Sequence, residues 1–402
     1  MKLLAIVPFP PRLDATHGGG KTTANLLLKL AERHTLALVY PRRPTDPPAD
    51  PALVERCDLV EAFVPAGPDP SSWRRRLRKA LLLVQGNPRW ATDVDAPALA
   101  ATVARVASRW QPDVVQVDYA VMTEAASLLP PALPLVLVDH EPGTARAESE
   151  LRTPGHSRLG SLLRRADVAA WRRFDRRVAK RASAIVVFTE RDRAAVARVA
   201  PGADVHVIPI GVAPASEPLN ATGSEDAIVF VGSFVHPPNV DAALLLVREI
   251  LPRLRVRHPG TTVYVVGEQP PAELLALAGK GVVVTGRVPH VEPYLDRAAV
   301  AVAPLRQGGG MRIKVLETLA AGKALVATPL AVAGLDVRDG FHVLLAEGPA
   351  GFADAVSGLL DDPQARAELG RHARAWALEQ PDWDAVATRY EHLYDSLVAK
   401  PS

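Results

Sequence analysis

PLRQGGGMRIKVLETLAAGKALVAT, residues 304 to 328, reads as a glycine-rich loop running into a short helix and then into an apolar strand. Consecutive glycines at 308 to 310 let the backbone approach a ligand closely. The free N–H groups of the helix start, helped by the helix dipole, favour a diphosphate there. Arg312 and Lys314 stand beside that position as cations. Lys314 and Glu317 are three apart and share one helix face, so a charge for phosphate and a carboxylate for sugar hydroxyls are presented side by side. On this stretch alone the plainer reading, a loop and a helix with a surface ion pair, stays open.

Working outward, the same strand–loop–helix rhythm recurs along the chain. KLLAIV (2 to 7) reads as a buried strand, a loop with Gly18, Gly19 and Gly20 follows, and TANLLLKLAER has the period of an amphipathic helix. TLALVY (35 to 40), PDVVQVD (112 to 118), PLVLVD (134 to 139) and SAIVVFT (183 to 189) continue as short apolar strands between helical segments. Such alternation indicates a parallel, doubly wound α/β sheet with ligands at the carboxyl ends of its strands. At 210 to 226 the pattern breaks into IGVAPASEPLNATGSED, an interdomain linker by composition. A second series follows: AIVFVGS (227 to 233), a helix over roughly 240 to 257, TTVYVVG (261 to 267), GVVVTG (281 to 286), AVAVAPL (299 to 305) and ALVATPL (324 to 330). The expectation is two Rossmann-like domains facing each other, 1–212 and 227–380, joined by a linker over 213–226. A helix over 381–402, after the Pro381 break, is expected to pack back on the first domain.

Length agrees, because 402 residues exceed the usual size of one core. Hydrophobic residues at 48% and charged residues at 23% fit neither a disordered nor a fibrous chain. The single cysteine, Cys57, cannot form an internal disulfide, and one thiol gives no metal site. MKLLAIVPFPP carries one lysine and an apolar run too short for a signal peptide, so a cytoplasmic location is expected. No stretch approaches the roughly 18 apolar residues that span a bilayer.

The net charge is only +3, yet positive charge is unevenly placed. Residues 151–181 hold nine arginines and Lys180 against Asp167 and Asp175, and 71–90 adds Arg74, Arg75, Arg76, Arg78, Lys79 and Arg89. Interleaved with Leu159, Leu162, Leu163, Trp171 and Phe174, these segments suit peripheral contact with an inner membrane surface or a phosphorylated acceptor; a solvated helix face is the plainer alternative. Nucleic acid is not expected, since no recognised binding motif is present.

The second half carries GSFVHPPNVDAALLLVREILPRL, VYVVGEQP, VVVTGRVPHVEPYLDRAAVAVAPLRQGGGMRIKVLETLAAGKALVATPLAVAGL and FHVLLAE in order. This set resembles family 4 glycosyltransferases of the GT-B fold, in particular the bacterial branch with a GSF…PPN…DA signature. The first half is more loosely similar, through the Gly18–Gly20 segment, LVDHE, WRRFDRRVAKRASAIVVFTERDR and VHVIPIGV.

The resemblance implies transfer of a sugar from a UDP-, GDP- or TDP-linked donor to an acceptor hydroxyl in the interdomain cleft. The C-terminal domain would hold the donor, and the N-terminal domain a glycan, lipid-linked sugar or natural product. It implies Gly232 and Ser233 beside the diphosphate, Arg287 and Val288 near the base, and Gly309, Gly310, Arg312 and Lys314 at the phosphates. Glu317 would take the ribose hydroxyls, and Gly18 to Gly20 would close over the diphosphate from the opposite domain. His140, at the end of PLVLVD, falls where the family often has a cleft-facing histidine, with Asp118 and Tyr119 on the acceptor side. Retention is the family norm, and no cofactor or metal is implied, since oriented amides and cations can stabilise the leaving diphosphate.

Two departures stand out. Gly309 stands eight positions before Glu317, where the family has a first glutamate, and Ser233 occupies the place of a common arginine. The sequence leaves two rival readings open. ATHGGGKT (15 to 22) fits a loose P-loop with Lys21 and Thr22 on phosphate and Mg²⁺, and the missing carboxylate at Gly309 suits a nucleotide-sugar-binding protein without turnover.

Overall fold

In the computed structural model the described residues are 1–15, 17–44, 46–64, 87–88, 96–152, 158–213, 217–220, 223, 225–308 and 313–399. The apolar runs become two all-parallel sheets. The first has β1 (Lys2–Ile6), β2 (Thr35–Pro41), β3 (Leu59–Phe63), β4 (Val114–Asp118), β5 (Leu135–Val138), β6 (Ala184–Val187) and β7 (Val205–Val207), in the order β3-β2-β1-β4-β5-β6-β7. The second has β8 (Glu225–Val231), β9 (Thr262–Val266), β10 (Val282–Val284), β11 (Ala298–Ala303), β12 (Leu325–Ala327) and β13 (Leu344–Leu345), in the order β10-β9-β8-β11-β12-β13. The central strands β4, β5, β6 and β11 are buried along their whole length. Helices covering both faces explain why these strands read as unbroken apolar runs rather than alternating ones. The expected GT-B architecture is therefore present.

Strand order reverses between β1 and β4 in one sheet and between β8 and β11 in the other. Ligand crevices of doubly wound sheets open at such points, beyond the carboxyl ends of the strands. Here the two openings face each other. The helix Gly18–Ala31, entered from β1, meets the helix Ile313–Ala320, entered from β11: Lys21 Nζ lies 2.9 Å from Glu317 Oε1.

The last helix, Trp383–Val398, packs back on the first sheet as expected. Its buried side chains Trp383, Val386, Ala387, Tyr390, Leu393, Tyr394 and Leu397 recur at helical spacing, and Asp382 caps its start by accepting from the Ala385 amide at 2.7 Å. Asp384 and Glu391 on its open side reach Lys29 (3.1 Å) and Arg33 (2.5 Å) of the helix Gly18–Ala31. The Val212 amide donates to the Pro381 carbonyl at 3.0 Å, so the two passages of chain between the sheets lie side by side.

Candidate active site

In the second half of the chain, β8 delivers Gly232 and Ser233 to the cleft. A Cβ at Gly232 would lie 3.0 Å from Asn239 Cγ and 3.2 Å from Lys314 Nζ, so the bare backbone is what allows these groups to converge. Asn239 ties the corner together: its Nδ2 donates to the Ser233 carbonyl at 2.7 Å and its Oδ1 accepts from Lys314 Nζ. The Lys314 ammonium also sits 4.8 Å from the centroid of the Phe230 ring. Ser233 Oγ donates to Glu268 Oε1 at 3.0 Å. Gly232, Ser233 and Lys314 are thus brought together, 82 residues apart at the extremes of the sequence numbering 232 to 314, while Gly309, Gly310 and Arg312 lie outside the described residues.

Two participants had no role assigned from sequence. Asn239 and Glu268 lie inside the quoted GSFVHPPN and VYVVGEQP segments, which was the signal available for them. Arg287 and Val288 follow β10. Val288 packs against the core, whereas Arg287 is exposed. The Arg287 charge reaches Asp14 on the opposite loop, whose carboxyl is held below its ordinary range first by its hydrogen bond to Arg12 and further by Arg287.

Glu317 stands apart from Lys314. The two share a helix, but Lys314 turns to Asn239 and Glu317 crosses to Lys21.

On the facing side the expectation of a Gly18–Gly20 loop needs correction. These glycines form the first turn of the helix Gly18–Ala31, with His17 as its cap: Nδ1 accepts from the Gly20 amide at 3.0 Å. Burial, reinforced by the nearby His236, lowers the His17 pKa to about 4, so the ring is neutral near pH 7 and can accept. Space explains the glycines. A Cβ at Gly18 would lie 2.3 Å from Ile313 Cδ1, and one at Gly19 would lie 2.0 Å from Tyr119 Oη.

This geometry does not suit a P-loop. Residues 7 to 17 separate β1 from the helix, Lys21 is paired with Glu317, and Thr22 is buried.

At the end of β4, Tyr119 adopts φ 67°, a strained position for a residue with a Cβ. Its ring stacks on His140 with centroids 4.3 Å apart and planes 5° apart. His140 is therefore covered rather than bare to the cleft, and Phe188 meets it edge-on. Beneath it lies Asp118, buried, accepting from Thr23 Oγ1 (2.6 Å) and Gln116 Nε2 (2.7 Å) and pairing with His140 Nε2 (3.1 Å). Asp118, Tyr119 and His140 thus form one cluster beside Gly19. Burial and the neighbouring Asp118 charge push the Tyr119 phenol upward, so it stays protonated. Among the described residues, no group of three or more His, Cys, Asp or Glu side chains is arranged to hold a metal ion.

Of the basic segments, 71–90 lies outside the described residues except for 87 and 88. The helix Arg158–Arg181 is described. Several of its arginines are paired, Arg172 with Glu148 (2.8 Å) and Arg177 with Glu124 (2.9 Å), while Leu162 and Leu163 are exposed near its start. Among the described residues, no helix is long and apolar enough to cross a membrane.

Comparison with known proteins agrees with this arrangement. Glycogen synthase of Mycobacterium tuberculosis is 33% identical over 207 residues, covering 48% of this chain and 48% of that protein. The chain therefore spans about half the length of the curated relatives it matches. Sucrose-phosphate synthase from Thermosynechococcus elongatus shares the fold with a TM-score of 0.73 at 16% identity, over 99% of this chain and 100% of that one. Anabaena HepE, in complex with UDP and glucose, shares it with a TM-score of 0.64 at 15% identity, over 98% and 100%. A family model described as Glycosyl transferases group 1 matches residues 225–362, and one described as Glycosyltransferase Family 4 matches residues 16–216. With that second match spanning the facing half of the cleft and the GT-B fold shared along the whole chain, the protein belongs to Glycosyltransferase Family 4.

Proposed function

We propose that the chain is a glycosyltransferase that moves a sugar from a UDP-, GDP- or TDP-linked donor to an acceptor hydroxyl in the cleft, with retention and without a metal ion. The observation that carries this reading is the corner of Gly232, Asn239 and Lys314 at the switch point of the second sheet, where bare backbone and a held ammonium converge. A diphosphate fits that chemistry. As the sugar bond breaks, negative charge grows on the leaving phosphate, and Lys314, with Arg312 expected beside it, would stabilise that charge. The UDP bound in HepE supports a nucleotide on the shared fold. Retention rests on the family resemblance. The acceptor, a glycan, lipid-linked sugar or natural product, would enter on the side of Asp118, Tyr119 and His140.

Calorimetric titration with UDP, GDP, TDP and ATP, each with Mg²⁺ and with chelator, tests the reading when repeated on Lys314→Ala. Metal-independent binding of one nucleoside diphosphate, weakened in the variant, supports it. ATP binding that requires Mg²⁺ and ignores the variant overturns it. Sugar transfer to any acceptor removes the binding-only alternative.

A second proposal concerns location. Leu162 at 63% and Leu163 at 43% exposure sit beside Arg164 and Arg165 at the start of the helix Arg158–Arg181, an apolar tip on a basic shaft that suits an anionic membrane surface.

A further inference from the structure

His140 is held by a chain of buried side chains that begins on the last helix. Tyr394 Oη donates to Gln116 Oε1 at 2.5 Å, across 278 positions of sequence. Gln116 Nε2 donates to Asp118 Oδ1 at 2.7 Å, and Asp118 Oδ2 accepts from Thr23 Oγ1 and pairs with His140 Nε2 at 3.1 Å. Gln116, Asp118 and Tyr394 are each 0 or 1% exposed, so no solvent competes for these bonds.

The directions of the bonds follow from the donors. A phenol that donates to the amide oxygen fixes which way the Gln116 amide points, turning its NH₂ toward Asp118. With the phenol removed, the Gln116 oxygen loses its buried donor and the amide is held from one side only, by Asp118. Asp118 then accepts on both oxygens, which leaves His140 Nε2 as the donor in its pair; in the neutral ring Nδ1 is then the nitrogen without a proton.

We propose that Tyr394 and Gln116 are positioning residues which, through Asp118, fix His140 in its Nε2–H tautomer and ring orientation at the acceptor side of the cleft. The consequence for sugar transfer rests on the function proposed above, whereas the relay itself does not. A helix that crosses back from the second half of the chain therefore bears on the state of a cleft side chain through buried bonds. Tyr390, one turn earlier on the same helix, supplies an internal control: it is equally buried, and its hydroxyl has no hydrogen-bond partner among the described residues.

The test is ¹⁵N–¹H spectroscopy of the ligand-free, histidine-labelled full chain, with His140 assigned through His140→Gln. The wild type is expected to show a protonated Nε2, an unprotonated Nδ1 and a protected, downfield Nε2–H proton. In Tyr394→Phe that proton should exchange about tenfold faster, in keeping with the loss of one buried hydrogen bond, and in Tyr390→Phe it should not change. Gln116→Met, which removes the relay from its middle, serves if Tyr394→Phe does not fold. A wild-type His140 protonated on Nδ1 but not on Nε2, or a Tyr394→Phe spectrum identical to that of the wild type, overturns the relay. With a donor identified by calorimetry, Tyr394→Phe should lower kcat on the order of tenfold while leaving KM for the donor unchanged. The expected tautomer in a protein that binds no nucleoside diphosphate would instead sink the functional reading and leave the relay standing.

Discussion

Lys21 and Glu317 form an ion pair of 2.9 Å between the first helix of one half of the molecule and the helix following β11 of the other. Glu317 is the carboxylate expected to take the ribose hydroxyls, so the lysine occupies the partner that a nucleotide would need. With side chains 33% and 45% exposed, the pair is worth at most about 1 kcal/mol. Lys21→Ala is therefore expected to leave nucleoside diphosphate binding intact or to tighten it by up to about fivefold, whereas Glu317→Ala weakens it. Calorimetry on both variants checks this. Abolition of binding in Lys21→Ala would place that lysine on phosphate and restore the P-loop.

Gly232→Ala puts a methyl group 3.0 Å from Asn239 and 3.2 Å from Lys314. Both side chains must shift, while the strand behind them keeps its hydrogen bonds. Nucleotide affinity should fall by about tenfold or more with little change in Tm, because the loss lies in charge-assisted contacts to the ligand. A normal titration curve would show that the diphosphate does not lie on this corner.

His17 gives the fold a pH dependence of definite sign. Its pKa in the folded state is lowered to about 4 from 6.5, so between those values the native state binds fewer protons than the unfolded chain. Stability is fully present above about pH 6.5 and falls as the pH drops toward 4, by up to about 1.4 kcal/mol per pH unit. His17→Asn keeps an acceptor for the Gly20 amide and removes this titration. Urea midpoints at pH 7, 5.5 and 4.5 should spread less in the variant than in the wild type; equal spread in both would reject the assignment.

Leu162→Ser combined with Leu163→Ser should reduce sedimentation with phosphatidylglycerol vesicles and leave calorimetric nucleotide binding unchanged. Binding of the wild type should weaken with added salt, since the arginines supply the attraction. Wild-type protein that stays in the supernatant at low salt would dismiss a membrane role for this helix tip.

The strands that were legible are those buried on both faces. VVQVD and AAVAVA declare β4 and β11 because no solvent-facing position interrupts them. β3, β7 and β13 were not read as strands: they lie at sheet edges, VHV and LL are short, and LVEAF, like them, is only half-buried. The helix start at Gly18 was hidden by propensity, since three glycines are poor helix formers and only the approach of Ile313 and Tyr119 explains them. Of the site, Gly232, Ser233 and Lys314 were legible through motifs. The bond that Asn239 makes to Lys314, and the bond from Tyr394 to Gln116, join positions far apart in sequence, and no spacing rule in one chain records them.

The chain passes between its two sheets twice, and the Val212 amide bonded to the Pro381 carbonyl stitches those passages into a single two-stranded strap. A single tether would let the halves swivel freely. A paired strap resists twisting and lets them bend, so opening and closing of the cleft is expected to follow one angular coordinate, like the cover of a book rather than a weight on a string.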